Sequence, residues 1–273
     1  MRQQSSLATS SLARLLASAA VAAIFAVGLC GCQTASDVTG SLMPKAEASP
    51  DADPHRVAEA SGERYRANPK DADAALAYGQ ALRASGQRSQ AAAVLEQASI
   101  AHPGNKALLA AFGRALADNG NFQASFDVLT RAHTPDNPDW RILSVQGTVL
   151  DQLGRHDEAR DYYASALRIV PDEPSVLSNL GLSYVLSRDL PKAEETLRKA
   201  YASGRADARV RQNLGLVVGL QGRFAEAETI VKADLPPDQA AANVAYLKQM
   251  LSRKDNPPGA PGRLPVASLS RPD

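Results

Sequence analysis

The stretch PSVLSNLGLSYVLSRDLPKAEETLRKAYASGRAD, residues 174–207, holds one complete structural period. Its Gly181, Ala193 and Ala200 each return along the chain at that same fixed interval. Gly181 is one rung of Gly79, Gly113, Gly147, Gly181 and Gly215. In the same register run Gly86, Gly120, Gly154 and Gly222, with Arg188 out of step, then Ala91, Ser125, Ala159, Ala193 and Ala227, and finally Ala98, Ala132, Ala166 and Ala200. Glycine makes up roughly 7% of ordinary sequence, so ladders sharing one register mark an internal repeat.

A glycine inside a helix costs about 1 kcal/mol relative to alanine. Repeating it at five equivalent places therefore needs a steric reason, which is close approach of a first helix to a second. The other glycine ladder falls where the first helix stops, a place that favours the left-handed conformation. Pro103 and Pro171 end second helices. The period and residues resemble the tetratricopeptide repeat, a helical hairpin with L-G-x2-Y in its first helix and A-x3-F, Ala and Pro in or after its second. Leu180-Gly181-x2-Tyr184 and Tyr78-Gly79-x2-Leu82 carry that pattern, as does Ala159-x3-Tyr163 followed by Ala166 and Pro171. The resemblance implies an all-α, right-handed superhelical solenoid whose first helices line a concave groove.

Outward from the repeats, the chain divides into segments. Residues 72–236 hold five units, 72–105, 106–139, 140–173, 174–207 and 208–236, the last decaying at Asp234 where alanine is expected. Residues 55–71 read as a capping half-repeat helix and 237–253 as a closing helix, capped by Asp238 and striped by Ala241, Val244, Ala245, Leu247, Lys248 and Leu251. Five prolines after Lys254 point to a disordered tail over 254–273.

Residues 1–31 have the order of an export signal, with Arg2 and Arg14, an uncharged Leu15 to Leu29, then Leu29-Cys30-Gly31-Cys32. An uncleaved span would need roughly 20 apolar residues, more than this run supplies. The four residues resemble a lipobox, which implies cleavage before Cys32 and acylation there. Two or more acyl chains anchor stably. Gln33, in place of the Asp that retains lipoproteins at the inner membrane, implies the periplasmic face of the outer membrane. Residues 32–54, rich in Ser, Thr, Asp, Ala and Pro, read as a flexible tether.

Composition narrows the chemistry. The 273 residues are 44% hydrophobic but only 5% aromatic, which suits close-packed helices. Cleavage would remove Cys30 and leave no free thiol beside an acylated Cys32, excluding cysteine catalysis and thiolate-bound metal. Loss of Arg2 and Arg14 takes the formal charge from +1 to −1, giving no broad attraction to nucleic acid. His55, His102, His133 and His156 lack metal-ligand spacing and read as solvated loop histidines. The pairs Asp157-Glu158 and Glu194-Glu195 read as solvated charge. No nucleotide, cofactor or small-molecule substrate motif appears, so the chain reads as non-catalytic.

What remains is protein binding. First-helix positions 2, 5, 6, 9, 12 and 13 lie on one stripe. They select Gln80, Arg83, Arg114, Asp118, Arg141, Thr148, Asp151, Gln152, Ser178, Asn179, Arg209, Gln212 and Asn213 as the candidate groove. Asn179 and Asn213 share one position in adjacent units. Such an amide offers donor and acceptor, either to a partner backbone or carboxylate or to the neighbouring helix. Trp140 opens the third unit and reads as packing or as a partner hot spot.

Four strings, residues 150–159, 171–181, 209–215 and 219–228, together with lipobox, tether and closing helix, resemble the TadD family of repeat lipoproteins from the tight-adherence (Flp pilus) assembly system. The resemblance implies a factor for pilus biogenesis and secretion, with pilus-assembly or secretin subunits as partners and the bilayer held by acyl chains. The other reading is a periplasmic adaptor regulating a cell-wall synthase or hydrolase.

Overall fold

Five acidic or amide side chains spaced one repeat apart, Asp71, Asn105, Asp139, Glu173 and Asp207, each start a helix by accepting backbone N–H groups of its first turn. Asp139 accepts from Arg141 N at 2.8 Å and Asp207 from Val210 N at 2.9 Å. These are the first helices of five hairpins. In the computed structural model, which describes residues 53–255, they are α2 (Ala72–Ala84), α4 (Lys106–Asp118), α6 (Trp140–Gln152), α8 (Pro174–Leu186) and α10 (Ala208–Leu220). Their partners are α3 (Arg88–Ala101), α5 (Phe122–Arg131), α7 (His156–Ile169), α9 (Leu190–Ala202) and α11 (Phe224–Val231). Helix α1 (Pro54–Ala67) precedes the array and α12 (Pro237–Asp255) closes it, and no strand is formed among the described residues. The export signal, Cys32, nearly all of the tether and the tail beyond residue 255 lie outside the described residues.

Each hairpin turns through one residue with positive φ. Gly86, Gly120, Gly154 and Gly222 adopt it at 77°, 80°, 76° and 83°. The sequence exception adopts it too, since Arg188 has φ 63°. The turn is imposed by a backbone bond, Asp189 N to Tyr184 O at 2.9 Å, equivalent to Arg155 N to Leu150 O at 2.9 Å. Arg188 therefore carries the left-handed strain that glycine escapes.

The intrahelical glycines meet the second helices as expected. A Cβ on Gly181 would lie 2.6 Å from Leu197 Cγ, and one on Gly147 2.6 Å from the Tyr163 ring. The alanine ladder is buried throughout, and its one departure is satisfied, because buried Ser125 donates to Gly113 O at 2.6 Å. Each second helix packs on its own first helix and on the next, while successive first helices also touch one another. Closer spacing on that side bends the stack and makes the first helices its concave face. Leu82, Leu95, Leu129, Tyr163, Leu197 and Leu214 fill the layers between them, all at most 1% exposed. Each stabilises by roughly 1.5–3 kcal/mol relative to an exposed side chain.

At the ends, Tyr65 of α1 stacks on Tyr78 of α2 with ring centroids 5.6 Å apart. Helix α12 buries part of the stripe its sequence suggests. Leu247 is buried and Val244 and Leu251 half-buried, with Ala240 buried beside them, whereas Ala241, Ala245 and Lys248 are exposed. Gly219 of α10 lacks a Cβ and so admits Leu247, whose Cδ2 lies 2.5 Å from where that Cβ would stand.

Candidate functional site

The thirteen stripe residues do not share one environment. Gln152 and Gln212 are exposed, and Gln80, Arg83, Asp118, Arg141, Thr148, Asn179, Arg209 and Asn213 are half-buried. Arg114, Asp151 and Ser178 are buried, contrary to their place on an open face. The reason is the touching of first helices, which covers side chains a single-helix projection leaves open.

Ser178 is buried because it serves the next unit. Asn213 Nδ2 donates to Ser178 Oγ at 2.9 Å, and Asn179 Nδ2 donates to Ser144 Oγ at 3.1 Å. Of the two readings of the asparagine pair, the structure shows the helix-to-helix one. Arg83 Nε likewise reaches Asp118 Oδ2 at 2.6 Å across α2 and α4.

Asp151 sits inside a polar knot. It accepts from Ser183 Oγ at 2.8 Å and from Tyr163 OH at 3.0 Å, with His156 Nδ1 2.9 Å away. Burial pushes its carboxyl above the ordinary carboxylate value, against the hydrogen bonds of His156, Ser183 and Tyr163. The same burial pushes the Tyr163 hydroxyl well up.

Three histidines thus depart from the solvated reading, the first being half-buried His102, whose Nε2 lies 2.9 Å from Lys70 O. His156 binds Asp151, and half-buried His133 places Nε2 3.0 Å from Gln146 Oε1. The acidic pair at 194–195 departs as well. Glu194 accepts from Arg198 and Gln221 at 2.7 and 2.9 Å and is paired with Arg223. Arg223, foremost, holds its carboxyl at about 2.

Arg114 on α4 is the outlier. The residue is only 4% exposed, and its Nε and Nη2 are buried with no hydrogen-bond partner. Burial, followed by Arg83, pulls its pKa down to about 10. Farther along, Trp140, Arg141, Ser144, Val145, Ser175, Asn179 and Arg209 surround about 10 Å³, room for one water. Trp140 packs against the core cluster that includes Leu143 and Tyr163, and the Arg141 guanidinium lies 4.5 Å above its ring. Among the described residues no group of His, Cys, Asp and Glu is arranged to hold a metal. No described helix is long and apolar enough to cross a membrane.

One profile of the tetratricopeptide repeat matches residues 141–206, and a second matches residues 76–139 and 178–243. The chain is a tetratricopeptide-repeat protein. Such repeats act as protein-interaction scaffolds. PilW, described as a widely conserved type IV pilus biogenesis factor, superposes with a TM-score of 0.62 over 71% of this chain and 91% of that one, at 18% identity. In the Cut9–Hcn1 hetero-tetramer of the APC/C, a chain superposes with a TM-score of 0.61 over 74% of this repeat protein but only 40% of its own length, again at 18% identity. At such identities the likeness is one of fold. An uncharacterized protein, y4yS, of Sinorhizobium fredii is 34% identical over 104 residues, which span 37% of this chain and 56% of that protein.

Proposed function

We propose that this repeat protein is a lipid-anchored, non-catalytic assembly factor for Flp/Tad pilus biogenesis and secretion, acting as a scaffold for pilus-machine or secretin subunits. The observation that carries the reading is a concave face built from five first helices, on a chain whose strings at 150–159, 171–181, 209–215 and 219–228 resemble the TadD family. The fold shared with a type IV pilus biogenesis factor supports it. A partner segment lies along the first helices. Acyl chains on Cys32 hold the scaffold at the periplasmic face of the outer membrane.

The test is affinity capture of the lipidated protein from crosslinked envelopes, with mass spectrometry of the co-purified proteins. Secretin or other pilus-machine subunits are expected. Cell-wall synthases or hydrolases in their place would overturn the pilus reading and favour an adaptor of cell-wall enzymes. Cys32→Ser is expected to release the protein from the membrane fraction with its helical circular-dichroism signal unchanged.

A further inference from the structure

Among the described residues, buried polar side-chain atoms without a partner occur at Arg114 and at Nδ1 of half-buried His133, and only Arg114 is itself a buried residue. Ser125, Ser178 and Ser183 each have a partner within hydrogen-bond distance. Arg114 keeps two guanidinium nitrogens out of water and unpartnered. A buried donor left unmet is destabilising, and a charged one more so. Folding alone gives no reason to place an arginine there, where α4 meets its neighbouring first helices; a ligand does.

The surroundings specify the ligand's charge. The groups that act on Arg114 are Arg83, Arg141, Asp118 and Asp139. Both carboxylates are already engaged, Asp118 by Arg83 Nε at 2.6 Å and Asp139 by Arg141 N at 2.8 Å in capping α6. Three guanidinium groups against two carboxylates leave one positive charge. That balance suits a single negative charge, and the two aspartates disfavour a dianion such as phosphate. Nε and Nη2 form one edge of the guanidinium, a parallel pair of donors that matches the two oxygens of a carboxylate. Arg141, half-buried and resting on the Trp140 ring, adds its positive charge on the α6 side.

We propose that Arg114 is the recognition point for an aspartate or glutamate side chain on the partner polypeptide that lies along the concave face. The inference rests on the scaffold reading above and names the chemistry of its partner. A buried fork that is satisfied only by the right acid gives specificity, because a partner lacking that acid leaves Arg114 unmet.

The experiment titrates the full chain in detergent with fluorescein-labelled hexaglutamate bearing an amidated C-terminus, and with hexaglutamine amide as control, by fluorescence anisotropy at low salt. Hexaglutamate is expected to bind at least tenfold more tightly. Arg114→Met should abolish that preference while raising Tm by about 2 °C, since it removes a buried unmet charge and keeps its volume. Arg114→Lys, with the charge but not the fork, should lose the preference at least threefold.

Retention of the preference in Arg114→Met, or a fall in its Tm, would overturn the proposal. Tighter binding of a phosphoserine hexapeptide than of hexaglutamate would overturn it too. If Arg114→Met does not fold, Arg114→Lys decides by the same preference. The pilus reading fails separately, through envelope capture by the wild-type protein.

Discussion

Two clusters in this molecule are both built from arginines and carboxylates and finish differently. At the α9–α11 end, Arg198 and Arg223 meet Glu194 and Glu226, with Arg198 Nη2 2.5 Å from Glu226 Oε1 and Gln221 adding a donor to Glu194. Every charge there has an opposite within reach. Across α2, α4 and α6, Arg83, Arg114 and Arg141 face Asp118 and Asp139, and the most buried member of the set has no partner. The first cluster is closed by the chain itself. The second leaves Nε and Nη2 of Arg114 unmet, the place proposed above for a partner's acid, so charge satisfaction, not charge content, separates the two.

The largest effect is expected at the ion pair inside the open cluster. Asp118→Asn removes the carboxylate that half-buried Arg83 reaches at 2.6 Å, beside Arg114, and should destabilise the array by about 3 kcal/mol in urea titration. A loss below about 0.5 kcal/mol, the scale of an exposed ion pair, would show that the two clusters are energetically alike.

A smaller effect is expected at the closed cluster. The Glu194 carboxyl is held at about 2 against an ordinary 4.5, chiefly by Arg223. Its folded value lies below its unfolded one, so it stabilises above pH 4.5 and that contribution is lost as pH falls toward 2. Glu194→Gln should cost about 1 kcal/mol near neutrality, the scale of a solvent-screened network. It should also flatten the fall of Tm between about pH 5 and pH 2, measured by differential scanning calorimetry. An unchanged acid limb would show that the closed network contributes nothing.

The smallest effect belongs to an arginine outside both clusters. Exposed Arg188 holds φ 63° in a turn where its counterparts are glycine. Arg188→Gly should stabilise by about 0.5–1 kcal/mol, the relief of left-handed strain less the added freedom of the unfolded chain. Destabilisation would mean that this side chain contributes an interaction its exposure does not suggest.

The solenoid is legible because its constraints act within one period. Gly181 must face Leu197 of the helix that follows it, and the same contact recurs between Gly79 and Leu95 and between Gly113 and Leu129. The capping ladder Asp71, Asn105, Asp139, Glu173 and Asp207 is equally legible in spacing, although its members differ in type and are seen only when grouped by role. The groove is less so. A stripe drawn on one helix treats Arg114, Asp151 and Ser178 as outward-facing, but other helices cover them, those of adjoining units included. Asp151 meets Ser183 and Ser178 meets Asn213, contacts between side chains 32 and 35 residues apart. Glu194 escapes a single-helix reading for the same reason, since Arg223 reaches it from the next hairpin. Polar pairs separated by one period, give or take a few positions, are the signal that reveals these contacts.

The serine and asparagine contacts carry one more consequence. The α8–α9 hairpin holds both halves of that connection, Ser178 to receive and Asn179 to insert. The hairpin before it offers Ser144 followed by Val145, and the one after it offers Asn213 preceded by Gln212. Residues 174–207 are thus a monomer with a matching head and tail, and their neighbours are chain terminators. Tandem copies of that one segment would polymerise within a single polypeptide, each seated on the last, to whatever length its gene encoded.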